Sequence, residues 1–438
     1  MLTEAVTNFA TFPPLGTVLV AMIGIGVAER SGLIGTALKR MVEVVPARAI
    51  TAALVFTGVN ASMAADAGFV VLVPLGAVLF LTLGRHPLAG LAAAFAGVSG
   101  GFSANLFLTS LDPLLSGMTD AAAKMVDPSY QVMPTANYYF MFVSVFLITA
   151  VGTHVTEKVV EPRLGRFQGR GQLDSGPDVL QAPTPRELRA LWLALAGAVA
   201  VIGLCLAFTV PAQGVLRSGD GGLKPFYNSL ITWMLLLFFV PGVIYGMVAG
   251  SIRSDRDVAV MCTETMGTMG SYVVLAFVAA QFVAYFSWSN LGIVTAVSGA
   301  QVLKSLGVSG LALLLGLVLI GGGINLLIGS ASAKWAILAP VFVPMFMLLG
   351  VSPELVQVAY RVGDSMTNVI SPLLPYYPMV IVFAQRYEPR LRLGTLVSLM
   401  LPYAIGLAIG WSLLMTAWVL LGIPLGPDAP LAYPGGKP

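Results

Sequence analysis

Ionisable and sulfur chemistry is scarce in this chain. Its 438 residues include two cysteines, Cys205 and Cys262, and two histidines, His86 and His154. The cysteines lie in apolar segments without metal-ligand spacing, and the histidines sit at predicted helix ends. A metal centre or a Ser-His-Asp triad therefore has almost no raw material. Charge is also short, at 10% Asp, Glu, Lys and Arg, which excludes a soluble domain because such a domain needs a charged skin. No G-x-x-x-x-G-K-[ST] loop is present to cradle a nucleotide.

Oil is what the chain has. Hydrophobic residues make up 57%, with 48 glycines among them and around them. Apolar stretches near twenty residues recur along the whole length, which predicts an all-α polytopic membrane protein. Outer-membrane barrels are excluded, since their strands are short and alternate in polarity. Candidate spans are 11–29, 87–111, 137–156, 190–212, 229–251, 258–288, 353–384 and 394–422. Two longer stretches, 49–83 and 308–350, break at small polar residues and read as re-entrant hairpins.

Charge placement tests this layout. With both hairpins re-entrant, sixteen of the 23 basic residues fall on one side, including Arg30, Arg48, Arg85, Arg163, Arg253 and Arg390. Five fall on the other, namely Lys124, Arg217, Lys224, Lys304 and Lys437, while Lys334 and Arg361 stay within the membrane. The positive-inside rule makes the richer side cytoplasmic, with the N-terminus outside. The first hairpin then opens toward the cytoplasm and the second toward the exterior. Three parts follow: a first half 1–156, a cytoplasmic linker 157–189 rich in Arg, Pro, Gly and Asp, and a second half 190–438.

The halves echo one another. The first hairpin breaks at "NASMAADAG" and is followed by "GGFSANLFLTSLDPLL"; the second breaks at "GSASAKW" and is followed by "GDSMTNVISPLL". Each half thus has a small-residue tip, then a Gly-x-Ser segment, an asparagine and a Pro-Leu-Leu ending. Opposite hairpin orientation makes this an inverted repeat with broken transmembrane helices. An unpaired carbonyl or amide in hydrocarbon costs several kcal/mol, so such breaks survive where they line a cavity or bind something.

Polar residues at the breaks are the candidate site. Asp364 is a membrane-embedded carboxylate, three residues after Arg361, so the two can share a helix face. Asn368 and Ser371 extend that face. Asn325 can offer a carbonyl to a cation or an interhelical hydrogen bond. Ser330 and Ser332 at the tip favour ligation, Lys334 attracts an anion or snorkels, and Trp335 stacks on an aromatic ligand or packs. Asn60, Ser62, Ser103 and Asn105 mirror this set, with Asp66 and Asp112 as first-half acids. Glu264 reads as a solvated helix end.

These residues carry a resemblance. "GSASAKWAILAPVFVPMFMLLGVSPE", "AYRVGDSMTNVISPLLPYY", "SMAADAGFVVLVPLGAVLF" and "AGVSGGFSANLFLTSLDPLLSG" resemble the hallmark segments of the AbgT family, the p-aminobenzoyl-glutamate transporters, and the likeness runs over essentially the whole chain. The resemblance implies a homodimer in the bacterial inner membrane, each protomer with nine spanning helices and two hairpins; eight spans are counted here, without the family's usual first helix and the loop after it. It implies transport of p-aminobenzoyl-glutamate or p-aminobenzoate-type folate metabolites, with some members exporting sulfonamides. By motif, Asp112, Asn325, Trp335, Pro353, Arg361 and Asp364 would be functional. The expectation is a secondary transporter, not an enzyme, with no cofactor beyond a coupling Na⁺ or H⁺. Its partners would be a small aromatic carboxylate and the lipid bilayer, not nucleic acid. Asp364 and Asn325, with Asn368, Asn60, Ser62, Ser103 and Asn105, would hold the ion. A Na⁺-coupled dicarboxylate symporter of similar design is the alternative.

Overall fold

A backbone immersed in oil has to satisfy its own hydrogen bonds, and this one does so as helix. The computed structural model describes residues 2–43, 46–61, 68–167, 183–211, 213–218, 223–305 and 310–433. Among them no strand forms, and β structure is confined to two isolated bridges, Val351 with Ala432 and Gly426 with Ala429. The chain separates into two compact units, Met1–Arg40 with Ala182–Gln281, and Met41–Gln181 with Phe282–Pro438. Each unit draws on both sequence halves, because helices distant in sequence pack side by side.

The first of these units is built from long apolar helices. Pro185–Thr209 buries a narrow stripe, Ala190, Ala194, Gly197 and Val201, spaced at helical period. Ala190 and Ala194 pack with Tyr245 of Lys224–Ala249, whose hydroxyl meets the Thr36 hydroxyl at 2.6 Å. The opposite face of Pro185–Thr209 presents Trp192, Leu195 and Val199 outward, more than half exposed. In water such a surface would drive aggregation; against lipid it is the required exterior. Arg30 meets Glu264 at 2.5 Å where both are partly solvated, in keeping with the helix-end reading of Glu264.

The second unit holds the interrupted segments. The stretch 49–83 forms helices Ile50–Asn60 and Val73–Thr82, the latter preceded by a π turn, Gly68–Leu72. Its tip, with Ser62 and Asp66, lies outside the described residues. The stretch 308–350 forms Gly310–Asn325 and Ala331–Met347, with the break at 326–330. Two of the candidate spans are themselves broken. The 87–111 span runs Pro87–Phe95, passes through a π turn at Ala96–Gly100, and restarts only at Leu111–Ala123. The 353–384 span stops at Asn368 and restarts at Tyr377, because Pro372, Pro375 and Pro378 withhold the amides a continuous helix needs. The expected 258–288 span is bent by 48° between Asp255–Thr268 and Tyr272–Trp288. Four helices among the described residues are long and apolar enough to cross a bilayer alone: Tyr138–Leu164, Pro185–Thr209, Asn228–Ala249 and Leu393–Leu421.

Two glycines fix how the broken parts meet. A Cβ on Gly363 would overlap the Val318 carbonyl, so only glycine lets Pro353–Asn368 press against Gly310–Asn325. A Cβ on Gly329 would overlap the Leu373 carbonyl, so glycine also lets the second hairpin tip touch the break in the neighbouring helix. Gly363→Ala is expected to force the helices apart at a cost of about 1–3 kcal/mol. A lowered Tm of the detergent-solubilised protein checks this, and an unchanged Tm would contradict the close approach.

Candidate functional site

The polar residues gather on Pro353–Asn368, which is buried almost throughout. Helical spacing puts Gln357, Arg361, Asp364, Ser365 and Asn368 along one stripe. Arg361 and Asp364 do not serve each other as ion-pair partners. The Arg361 guanidinium reaches the broken helix of the first half, where Nη1 donates to Asp112 Oδ1 at 2.7 Å and Nη2 to the Ser103 carbonyl at 2.6 Å. Asp112 is held from its other oxygen, which accepts from the Thr109 amide at 2.7 Å and the Thr109 hydroxyl at 3.0 Å. Asp364 pairs instead with Lys334 of the second hairpin, both side chains being sealed from solvent. The reason is reach: each long cation spans to a carboxylate on a neighbouring element, while the one-turn spacing leaves the shared helix face to direct packing.

Asn325 ties this pair to the hairpin. Its Oδ1 accepts from Lys334 Nζ. Its Nδ2 faces the Asp364 carbonyl, the Thr367 hydroxyl and the Asn368 Oδ1, each at 2.8 Å. Its own carbonyl accepts from the Ser371 hydroxyl at 2.9 Å. Asn325 ends the first hairpin arm, so one side chain joins the arm, the break and the helix carrying Asp364. Asn60 occupies the matching point in the first half: it ends Ile50–Asn60, and its Oδ1 accepts from the Leu106 amide in the first-half break at 3.3 Å. Ser103 and Asn105 are buried in that same break. Asn368 Nδ2 donates to the Ser99 carbonyl at 3.4 Å, linking the two breaks.

Other expected members sit apart. Ser330 caps Ala331–Met347, accepting from the Ala333 amide, and its hydroxyl meets that of Ser332 at 3.2 Å on the exposed side of the tip. Ser330 is thus engaged in capping, with Ser332 as its hydroxyl neighbour. Pro353 opens its helix, eleven residues and so about 17 Å of helix axis before Asp364. Trp335 is fully buried and stacks on Tyr360 at 4.4 Å between centroids.

Trp335 also begins a buried chain that no motif announced. Its Nε1 donates to the Thr119 hydroxyl at 2.9 Å, and Thr119 faces Gln357 Oε1 at 2.6 Å. Gln357 Nε2 donates to Asn137 Oδ1 at 2.7 Å, and Asn137 Nδ2 to the Glu354 carbonyl at 2.9 Å. Gln357 was legible as a continuation of the polar stripe; Thr119 and Asn137 were lone polar residues in separate segments.

Two features give the cluster chemical meaning. Its four buried charges, Lys334, Arg361, Asp112 and Asp364, sum to zero. Around them Ser99 Oγ, Ser365 Oγ and Arg361 Nε find no hydrogen-bond partner among the described residues, and Asp364 Oδ1 contacts Lys334 without an aligned hydrogen bond. Buried polar atoms without partners cost about 1–3 kcal/mol each, so their concentration here marks a place built to meet something polar.

Comparison with known proteins agrees with the motifs. The profile of the "AbgT putative transporter family" matches residues 1–433. The chain belongs to the AbgT transporter family. The p-aminobenzoyl-glutamate transport protein of Escherichia coli K12 is 39% identical over 431 residues, covering 97% of this chain and 84% of that protein. The structure resembles the YdaH transporter of Alcanivorax borkumensis with a TM-score of 0.92 at 44% identity, over 97% of this chain and 89% of that one. It resembles MtrF of Neisseria gonorrhoeae, one of a class of antimetabolite efflux pumps, with a TM-score of 0.93 at 47% identity, over 98% and 86%. This AbgT chain is thus a polytopic membrane transporter, and its interrupted helices are the part of the fold where buried charge collects.

Proposed function

We propose that the chain is an ion-driven secondary transporter of small aromatic carboxylates, moving p-aminobenzoyl-glutamate or p-aminobenzoate and exporting sulfonamides of similar shape. No bond is made or broken in this activity. The observation that carries the reading is the net-zero set of buried charges around Asn325. A substrate carboxylate entering such a set adds one negative charge to a low-dielectric site, which is costly unless a cation or proton enters too. Na⁺ or H⁺ at Asp364, with Asn325 and Asn368 as oxygen donors, meets that requirement. Arg361 and Lys334 are the cations that would receive the substrate carboxylate, each by loosening its present carboxylate partner. Names of relatives support the substrate class: one transports p-aminobenzoyl-glutamate, and another represents antimetabolite efflux pumps. We read the protein as an inner-membrane homodimer with hairpins entering from opposite faces.

Radiolabelled p-aminobenzoate flux in proteoliposomes, with Na⁺ and pH gradients imposed separately, tests this. Saturable flux driven by one of the gradients and competed by p-aminobenzoyl-glutamate and a sulfonamide is the expected result. Competition by succinate instead would favour a Na⁺-coupled dicarboxylate symporter, and binding without flux would reject transport of this class.

A further inference from the structure

Glu354 is a buried carboxyl that the transport reading does not use. It lies in the first turn of Pro353–Asn368 and is 2% exposed. The Tyr130 hydroxyl contacts both carboxyl oxygens, at 2.9 and 3.2 Å. Among the described residues no lysine or arginine comes within ion-pair distance of it. The charge that acts on it through space is the like charge of Asp120, which is itself bound to Lys124 at 2.6 Å. We propose that Glu354 is a proton-binding site of the transport cycle, separate from Asp364 and joined to Trp335 by the Asn137–Gln357–Thr119 chain.

The physical case has three parts. A carboxylate taken out of water without a cation costs several kcal/mol, and binding a proton removes that cost. Were the role only structural, an amide would accept the Tyr130 hydrogen bond without the charge. The site lies near the surface: the Tyr130 ring meets Tyr433 edge-on at 5.7 Å, and the Tyr433 hydroxyl donates to Asp127 at 3.2 Å. The groups facing Glu354 are Tyr130 from the loop before Tyr138, the hydroxyl of Ser352 that caps its own helix, and Asp120 of Leu111–Ala123, itself bound by Lys124; one layer out lie Tyr433 and Asp127.

Its position gives the proton a consequence. A negative charge in a first helical turn stabilises that helix, and protonation withdraws the effect. The helix in question carries Arg361 and Asp364. Its first turn is also gripped through the Glu354 carbonyl by Asn137, whose chain ends on the Trp335 indole. Charge at Glu354 thus biases the helix and the hairpin arm that together hold the buried ion pair. Charge distribution along the chain assigns this end, with Lys124, to the exterior, so the proton would exchange with the outside medium.

The proposal rests on the ion-driven reading, so its test has an arm that needs no substrate. Infrared difference titration of the full-length protein in detergent reads the carbonyl stretch of protonated carboxyls. Glu354→Gln is expected to lose the signal of about one titrating carboxyl per chain. Tyr130→Phe keeps Glu354 but removes a donor to its charged form, so the signal remains and its midpoint moves to higher pH. In proteoliposomes, p-aminobenzoate flux by wild type is expected to titrate with external pH, while Glu354→Gln retains flux that varies less than about twofold over the same range. A wild-type carboxyl spectrum in Glu354→Gln, or a midpoint unmoved in Tyr130→Phe, would overturn the site. An intact flux profile in Glu354→Gln would overturn its part in the cycle. Absence of wild-type p-aminobenzoate flux would sink the substrate reading alone, leaving the spectroscopic arm to decide the proton site.

Discussion

Asp364→Ala is expected to lower p-aminobenzoate flux by about a hundredfold or more, the size seen when one partner of a buried charge pair is truncated. Asp364 and Lys334 are both sealed inside the second unit, and among the described residues Lys334 has Asn325 Oδ1 as its one further side-chain partner. Removing the carboxylate leaves an ammonium buried with a neutral oxygen, which costs about 3–5 kcal/mol of stability. Loss of flux alone would therefore not separate a transport role from a folding role. The double variant Lys334→Met with Asp364→Leu does. Replacing both charges with apolar groups of similar volume is neutral or stabilising by about 1–4 kcal/mol. Its Tm is expected to recover toward wild type while its flux stays lost. Recovery of flux with stability would reduce the pair to a structural pin.

Arg361→Ala carries the second large effect. The guanidinium fork bridges Asp112 Oδ1 and the Ser103 carbonyl, so a single side chain closes the first-half break from across the unit. Truncation strands the buried Asp112 carboxylate, with Thr109 as its remaining donor among the described residues, and is expected to cost about 3–5 kcal/mol. Arg361→Lys restores the charge but not the planar fork, and an ammonium placed for Asp112 does not also serve the Ser103 carbonyl with the same geometry. The lysine variant is expected to regain most of the lost Tm and little of the flux. Thermal unfolding and proteoliposome flux on both variants check this; equal flux in Arg361→Lys and in wild-type protein would show that charge alone matters there.

Much of the site was legible because membrane helices leave few explanations for polar residues. Asn325, Lys334, Arg361, Asp364 and Asn368 stand out in oil-rich segments, and the structure brings these five together with Asp112 and Ser103. The stripe on Pro353–Asn368 could have been read further back, since Glu354 and Gln357 precede Arg361 at helical spacing. Partner choice was not legible. The i,i+3 spacing of Arg361 and Asp364 points to each other, yet each found its ion partner on another element. The tip serines looked like ligands, and the structure occupies Ser330 with capping a helix. Trp335 suited an aromatic ligand, and it is stacked on Tyr360.

The breaks inside 87–111 and 353–384 came from the structure; the amino-acid sequence by itself determined that this chain is helical and oil-facing, and that the stretches 49–83 and 308–350 are interrupted. Those are local matters: hydrocarbon offers the backbone no partners, so hydropathy sets the helices, and Gly, Ser and Pro set the interruptions. Only the tertiary structure decided which charges neutralise one another. Arg361 and Asp112 are 249 residues apart in the chain, and Lys334 meets Asp364 across the turn between two helices. A buried charge takes whichever opposite charge the packing brings within a few ångströms, and that distance is fixed by close approaches such as Gly363 against Val318, which no spacing along the chain encodes.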